Sequence, residues 1–294
     1  MYKTTEEYLD GLKDAMQDAD PALIQDAQAD AREHLFTGLE MAREANPTFN
    51  ETETLQKLID EFGSPAETAS AYREVERRTS PVLKQATKTR SLFGRFFAVY
   101  TDPRAWGALF YMLISFITGV LYFTWAVTGL SLSISFALFI FGLPVALLFL
   151  LSVRGLALLE GRLVEALLGV RMPRRPLFSH QGIKWLDRLK ALAFDRQTWL
   201  FILYMLIQLV LGTVYFVIIT VILSFSFAFI SIPVLQEIFH QGVTMSNGFP
   251  YTQPIWSYPL WVIGGFMLWT TFMNIVRGIG QIHGRFAKWM LVSE

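Results

Sequence analysis

The sequence predicts an all-α protein in two parts. A small cytosolic helical domain precedes a polytopic α-helical membrane domain made of two repeated two-span hairpins with amphipathic interfacial helices. Three observations carry this. First, 53% of the 294 residues are hydrophobic, 15% aromatic and 17% charged, the balance of a membrane protein. Second, the zero net charge is split: residues 1–83 hold 18 Asp/Glu against 8 Lys/Arg, and residues 84–294 hold 7 against 17. An acidic module joined to a basic-flanked membrane domain has this asymmetry. Third, one segment is written twice. Asp102-Pro103-Arg104-Ala105-Trp106, Phe110-Tyr111-Met112-Leu113-Ile114 and the Gly119…Tyr122-Phe123 block have counterparts 93 positions later. These are Asp195…Trp199, Leu203-Tyr204-Met205-Leu206-Ile207 and Gly212…Tyr215-Phe216. Arg154-Gly155 with Gly161-Arg162, and Arg277-Gly278 with Gly284-Arg285, close the copies. Order recurs as well as composition, so two structural repeats are expected.

The first domain, residues 1–78, reads as four helices. Tyr8, Leu9, Leu12 and Met16 form a helical stripe over residues 4–18. Asp20-Pro21 is an N-cap with a first-turn proline, opening a helix to about Ala45. A third amphipathic helix over residues 52–62 stops at Gly63. Ser64-Pro65-Ala66-Glu67 is a capping box that starts a fourth through Arg78.

Glu7-Tyr8-Leu9 with Leu12, Asp30 with Glu33-His34-Leu35, and Phe62-Gly63-Ser64-Pro65 with Ala69 carry a resemblance over roughly residues 4–78. The stretch resembles the HAAS-type domain, the helix-turn-helix-associated alpha-helical signalling module. The resemblance implies a cytoplasmic interaction module, often encoded beside PadR-like transcription regulators. A generic helical cap with a stop-start signal is the other reading.

Residues 79–101 form a basic linker in which Lys84, Lys88, Arg90 and Arg95 interleave with Phe93, Phe96 and Phe97. Cations among aromatics at a membrane entrance suit anionic lipid. Direct nucleic-acid binding is not expected, because the neighbouring acidic domain repels phosphate. The first membrane repeat, residues 102–170, has no charge over the 49 positions from Ala105 to Val153, enough for two spans. Their turn is expected near Gly129, with Gly142-Leu143-Pro144 kinking the second. An amphipathic surface helix should then set Leu156, Leu159, Leu163, Ala166 and Leu167 opposite Glu160, Arg162 and Glu165.

Residues 171–194 hold the basic loop Arg171-Met172-Pro173-Arg174-Arg175-Pro176 and a short amphipathic helix over 181–194. The second repeat, residues 195–294, has spans near 199–221 and 258–276, a C-terminal amphipathic helix, and an insertion at about 222–257. The insertion is expected outside or re-entrant, its apolar part either an extracytoplasmic extension of span three or a half-inserted hairpin. Basic residues between the repeats and at the C-terminus belong on the cytoplasmic side. Four spans with both termini cytoplasmic follow. No apolar stretch near the N-terminus suits a signal peptide.

The membrane part resembles the sensor domain found in bacterial two-component sensor proteins, in which two Trp-led hairpins are each followed by an Arg-Gly…Gly-Arg helix. The resemblance covers roughly residues 100–292, extends to the longer external segment of the second repeat, and implies a sensor in a bacterial inner membrane. No histidine-kinase region follows, so a signal is expected to leave through the HAAS-like module or a partner.

Two sets of site residues result. Asp102, Arg154, Arg162, Asp195, Arg277 and Arg285 lie at the cytoplasmic surface. Either Asp and Arg pair there, within or between repeats, or the arginines meet lipid phosphate and the aspartates cap helices. Trp106, Trp199, Phe249, Tyr251, Trp256 and Tyr258 are candidate ligand contacts, with interfacial anchoring as the bland reading. Ser115, Gly119 and Gly212 suit close helix packing. His34, His180, His240 and His283 lack metal-ligand spacing, cysteine is absent, and no phosphate loop or hydrolase motif occurs. No metal, cofactor or catalytic residue is therefore expected, and buried charges typical of a proton-coupled carrier are not evident in the spans.

The expected function is a non-catalytic membrane sensor or regulator. Its expected partners are membrane lipid and a cytosolic protein reached through residues 1–78, a PadR-like regulator or a kinase, with a homo-oligomer as a further arrangement. An accessory or structural subunit of an exporter-like complex and a lipid- or small-molecule-binding membrane protein are the alternatives.

Overall fold

The structure is a computed structural model that describes residues 2–46, 49–79, 92–136, 142–174, 185–239, 243–244 and 250–292. The fold is all-α, helical among the described residues apart from one two-residue ladder. In order, the helices are α1 (Thr5–Ala15), α2 (Pro21–Ala45), α3 (Glu51–Phe62), α4 (Pro65–Thr79) and α5 (Leu92–Phe97). After a 3-10 turn (Ala98–Thr101) come α6 (Pro103–Phe136), α7 (Gly142–Leu168), α8 (Trp185–Phe194), α9 (Arg196–Phe239) and α10 (Tyr258–Leu291). Between the last two, β1 (Val243–Thr244) pairs antiparallel with β2 (Pro250–Tyr251). Among the described residues, four helical stretches are long and apolar enough to cross a membrane: Pro103–Phe136, Gly142–Leu168, Arg196–Ile238 and Ile255–Leu291. The protein is a polytopic membrane protein.

The chain forms two compact units, and each draws on both sequence copies. One contains residues 1–85, 122–207 and 284–294; the other contains 86–121 and 208–283.

In the first unit, α1–α4 enclose a core of Tyr8, Leu9, Leu12, Met16, Leu23, Leu35, Leu55 and Ile59. Each leucine buried there stabilises by about 2 kcal/mol. The starts of α1, α2 and α3 each have a cap. Thr4 accepts from the Glu7 amide, the Asp20 carboxylate from Ala22, and the Asn50 side chain from Glu53. Gly63 takes φ +107°, where a Cβ would be strained, so the α3–α4 junction needs glycine. The capping box of α4 forms reciprocally: Ser64 N donates to Glu67 Oε2 (2.9 Å) and Glu67 N to Ser64 Oγ (3.4 Å). The buried Tyr8 hydroxyl donates to Gly63 O at 2.8 Å, tying α1 to this junction, and burial pushes its phenol pKa up. His34 stacks on Phe62 at 4.9 Å. The stripe expected through residue 18 ends as helix at Ala15, yet Met16 stays fully buried.

Further along the same unit, the turn expected near Gly129 lies elsewhere. Gly129 is inside α6, its Cα face pressed on the Phe149 ring, where an added Cβ would overlap the ring carbons. α6 continues to Phe136 and α7 begins at Gly142, and residues 137–141 lie outside the described residues. Gly142 and Pro144 do not kink a span; they open α7, where a proline lacks no needed hydrogen bond. Nor is the amphipathic stretch after Arg154 a separate helix. It continues α7 to Leu168, which Gly169 ends at φ +69°.

In the second unit, α6 and α9 meet at two glycines. A Cβ on Gly119 would stand 2.7 Å from Gln208 O, and one on Gly212 would overlap the carbonyl of Ser115. Only glycine lets the two backbones touch this closely. The apolar part of the insertion extends span three: α9 runs unbroken from Arg196 through Pro233 to Phe239, roughly 66 Å at 1.5 Å per residue. That is about twice the hydrocarbon thickness of a bilayer. Gly265 of α10 packs on Ser226 O and Ile230, and Phe229 meets Trp261 edge-on. The basic linker residues Lys84, Lys88 and Arg90 lie outside the described residues.

Two outcomes are expected. Gly212→Ala should cost about 3 kcal/mol or prevent folding by overpacking, whereas Gly155→Ala should change stability by less than about 1 kcal/mol because nothing lies within 4 Å of its added Cβ. Thermal unfolding in detergent measures both; equal melting temperatures would contradict the crossing. The Glu67 carboxyl is held below its ordinary pKa, first by the Ser64 hydroxyl. Its contribution is therefore present above the unfolded carboxylate pKa and lost as pH falls through the folded one. Amide exchange at Ser64 should accelerate on acidification in the native chain and become pH-insensitive, beyond the intrinsic rate, in Glu67→Gln.

Candidate functional site

Three polar constellations stand out, and each assembles from residues distant in sequence. The first is the pairing of helix starts with arginines. Asp195 caps α9, accepting from Gln197 N (3.3 Å) and Thr198 N (3.1 Å), and also holds Arg154 of α7 at 2.5 Å. Asp102 caps α6 by accepting from Arg104 N (3.0 Å) and holds Arg277 of α10 at 3.3 Å. Each aspartate therefore does both things that the sequence reading set as alternatives. Each pair also joins one sequence copy to the other: Arg154 with Asp195, and Arg277 with Asp102. Arg162 instead contacts Glu165 (3.6 Å) and donates to Arg174 O (3.2 Å), and Arg285 lies exposed on α10.

The second constellation is a matched pair of buried titratable groups. In the first unit Glu160 is 1% exposed, its two oxygens accepting from Tyr122 (3.1 Å) and Tyr204 (2.9 Å). In the second unit His283 is 2% exposed, bonded to Tyr111 through Nε2 (2.6 Å) and to Tyr215 through Nδ1 (2.9 Å). Tyr111 and Tyr204 are counterparts at the 93-residue offset, as are Tyr122 and Tyr215; Glu160 and His283 are counterparts at 123, beside Gly161 and Gly284. One copy thus buries an acid, the other a base, in the same two-tyrosine setting. Gln208 Nε2 extends the histidine cluster to Tyr111 (3.1 Å) and Ser115 Oγ (2.8 Å). This corrects two expectations. Glu160 does not face outward, while Leu159 is 51% exposed, and buried ionisable groups do occur within the long apolar helices. The outward leucine suits a helix whose surroundings are lipid, and the buried acid is tolerated because its oxygens are satisfied.

α7 and α9 meet these partners in the same order, Arg154 then Glu160 against Asp195 then Tyr204.

The third constellation is the seam between the N-terminal helices and the rest of the first unit. Arg171, 8% exposed in its side chain, pairs with Asp26 of α2 (2.8 Å), Glu76 of α4 (3.3 Å) and Glu165 of α7 (3.4 Å). Asp26 also accepts from Arg174 N at 2.6 Å, and Arg174 pairs with Glu165 at 2.8 Å. Hydrogen bonds from Arg174 to Glu165 hold the guanidinium pKa above its usual value. Lys288 of α10 reaches Asp20, the cap of α2, at 2.5 Å. Sequence reading identified the basic loop and the acidic domain separately, but not that they engage. The opposite charges of the two halves were the available signal.

Trp106 and Trp199 are exposed, each indole donating to a carbonyl six residues upstream, Tyr100 O (3.0 Å) and Ala193 O (2.8 Å). Trp256 is 73% exposed. Tyr258 donates to Glu237 (2.8 Å) and accepts from Gln236 (3.0 Å), fastening the return loop to α9. Phe249 and the Tyr251 side chain lie outside what is described. Among the described residues no group of His, Asp or Glu is placed to hold a metal ion.

Asp195→Ala removes a cap and a partly buried ion pair together, and should cost about 2–4 kcal/mol in thermal unfolding. Exchanging the partners, Arg154→Asp with Asp195→Arg, restores attraction but not the cap, so recovery should be partial. No recovery at all would show that the pairing contributes nothing.

No curated protein and no solved structure matches this chain. Residues 111–291, more than half of the chain, match the family described as "Putative sensor". The match begins at Tyr111 and includes both buried clusters and both Arg-Gly…Gly-Arg segments, and the chain therefore belongs to this sensor family.

Proposed function

We propose that this membrane protein is a non-catalytic bacterial inner-membrane sensor whose output passes through its N-terminal helical domain. In this reading both termini are cytoplasmic, residues 1–78 act as a HAAS-like interaction module, and a PadR-like regulator or a kinase receives the signal. The observation that carries it is the ion-pair seam. Arg171 and Lys288 extend from the continuations of α7 and α10 onto α2 and α4, so the acidic module is tied to helices that begin as membrane spans.

The chemistry suits a two-state relay. A nearly buried Asp26 is stable only while paired, and losing its partner costs several kcal/mol unless the carboxylate returns to water. A bilayer or ligand change that favours one packing of the helices over another shifts the docked–undocked balance by its differential affinity. Exposed Trp256 and the fastened loop around Tyr258 are the proposed receiving surface.

An affinity pull-down from native bacterial membranes tests this, comparing the full chain with a deletion of residues 1–78 and with Arg171→Glu. Capture of a regulator or kinase should vanish with the deletion and change with Arg171→Glu. Retention of a transporter through the membrane part alone, unaffected by either change, would instead support an accessory subunit of an exporter-like complex. A reporter fused to the N-terminus should be protected from protease added outside intact cells if that terminus is cytoplasmic, and digestion from the outside would overturn that orientation.

A further inference from the structure

The continuations of α7 and α10 turn an unusual face outward. On α7, Leu159 is 51% exposed and the Arg162 side chain 50%, three positions apart and so on one face. On α10, Arg285 is exposed and Trp289 is 67% exposed, four positions apart. Both arginines follow the glycines Gly161 and Gly284 that close the two copies. The acidic groups of these arms are turned away: Glu160 is buried between tyrosines, and Glu165 is engaged by Arg171 and Arg174. Residues 277–291 contain no Asp or Glu at all. Arg162 has a loose contact with Glu165 at 3.6 Å and donates to Arg174 O, which leaves half of its side chain outward.

An outward face that pairs a large apolar or aromatic side chain with a cation, and carries no anion, matches an anionic lipid surface. Two features select lipid over a protein partner. Each arm is continuous with an apolar span, so the same bilayer is within reach of it. The charge on the face is of one sign, whereas a second copy would bring arginine against arginine.

We propose that the outward faces of the α7 and α10 continuations bind anionic lipid, with Leu159 and Trp289 against acyl chains and Arg162 and Arg285 on the phosphates of the headgroups. The site is independent of the signalling reading above.

The absence of cysteine from the sequence makes the test direct. Leu159→Cys and Trp289→Cys, each labelled with an environment-sensitive NBD dye, are reconstituted in the full chain into vesicles of phosphatidylcholine alone or with phosphatidylglycerol. In anionic vesicles the dye should emit to the blue, be quenched by doxyl-labelled lipid and be shielded from iodide. Arg162→Gln or Arg285→Gln should weaken that lipid contact about five-fold on the arm that carries it, and only where phosphatidylglycerol is present. Quenching by iodide rather than by doxyl lipid in anionic vesicles would overturn the proposal. Cross-linking between copies through the thiol of Leu159→Cys or Trp289→Cys, without doxyl quenching, would also overturn it and assign the face to self-association. Identical lipid quenching with and without phosphatidylglycerol, unchanged by Arg→Gln, would overturn the headgroup assignment.

Discussion

Exchange of charged partners between the two sequence copies is the constraint on which the membrane part depends. An aspartate at the start of a long apolar helix must satisfy free amides, and both Asp102 and Asp195 do so as caps. Their remaining charge is met by the arginine of the opposite copy, Arg277 or Arg154. Each compact unit consequently contains helices from both copies, and neither copy completes its own polar inventory.

The same exchange governs the buried groups. Glu160 takes one tyrosine from its own copy and one from the other, as does His283. Buried polar side chains in apolar helices persist only when hydrogen-bonded, and removing either tyrosine hydroxyl leaves an acceptor or donor without its partner. The glycines complete the arrangement: Gly119 and Gly212 give backbone-to-backbone contact between α6 and α9 in the second unit, while Val170 packs on Gly284 in the first.

Much of the fold was legible because it rests on local rules. Caps at Asp20 and Ser64, the glycine stop at Gly63 and uncharged stretches of span length are each written within a few residues. What escaped was set by tertiary contact. Gly129 looks like a turn but is the flat surface that receives Phe149, a contact 20 residues away. Glu160 looks outward-facing because periodicity assigns polar residues to water, a rule that inverts where the surroundings are lipid and tyrosines wait inside. Asp26 and Arg171 lie 145 positions apart, and only their opposite charges hinted at a meeting. The candidate ligand residues Trp106, Trp199 and Trp256 were chosen by residue type, and each is exposed in the structure.

The central claim is that the acidic N-terminal module is docked on the continuations of the membrane helices through Arg171. A distance distribution between spin labels at Met41→Cys, exposed on α2, and Ala166→Cys, exposed on α7, tests it most directly in reconstituted full-length protein. The account expects a narrow single distance that broadens on Arg171→Glu. A broad distribution in the protein with Arg171 intact, unchanged by the substitution, would contradict it.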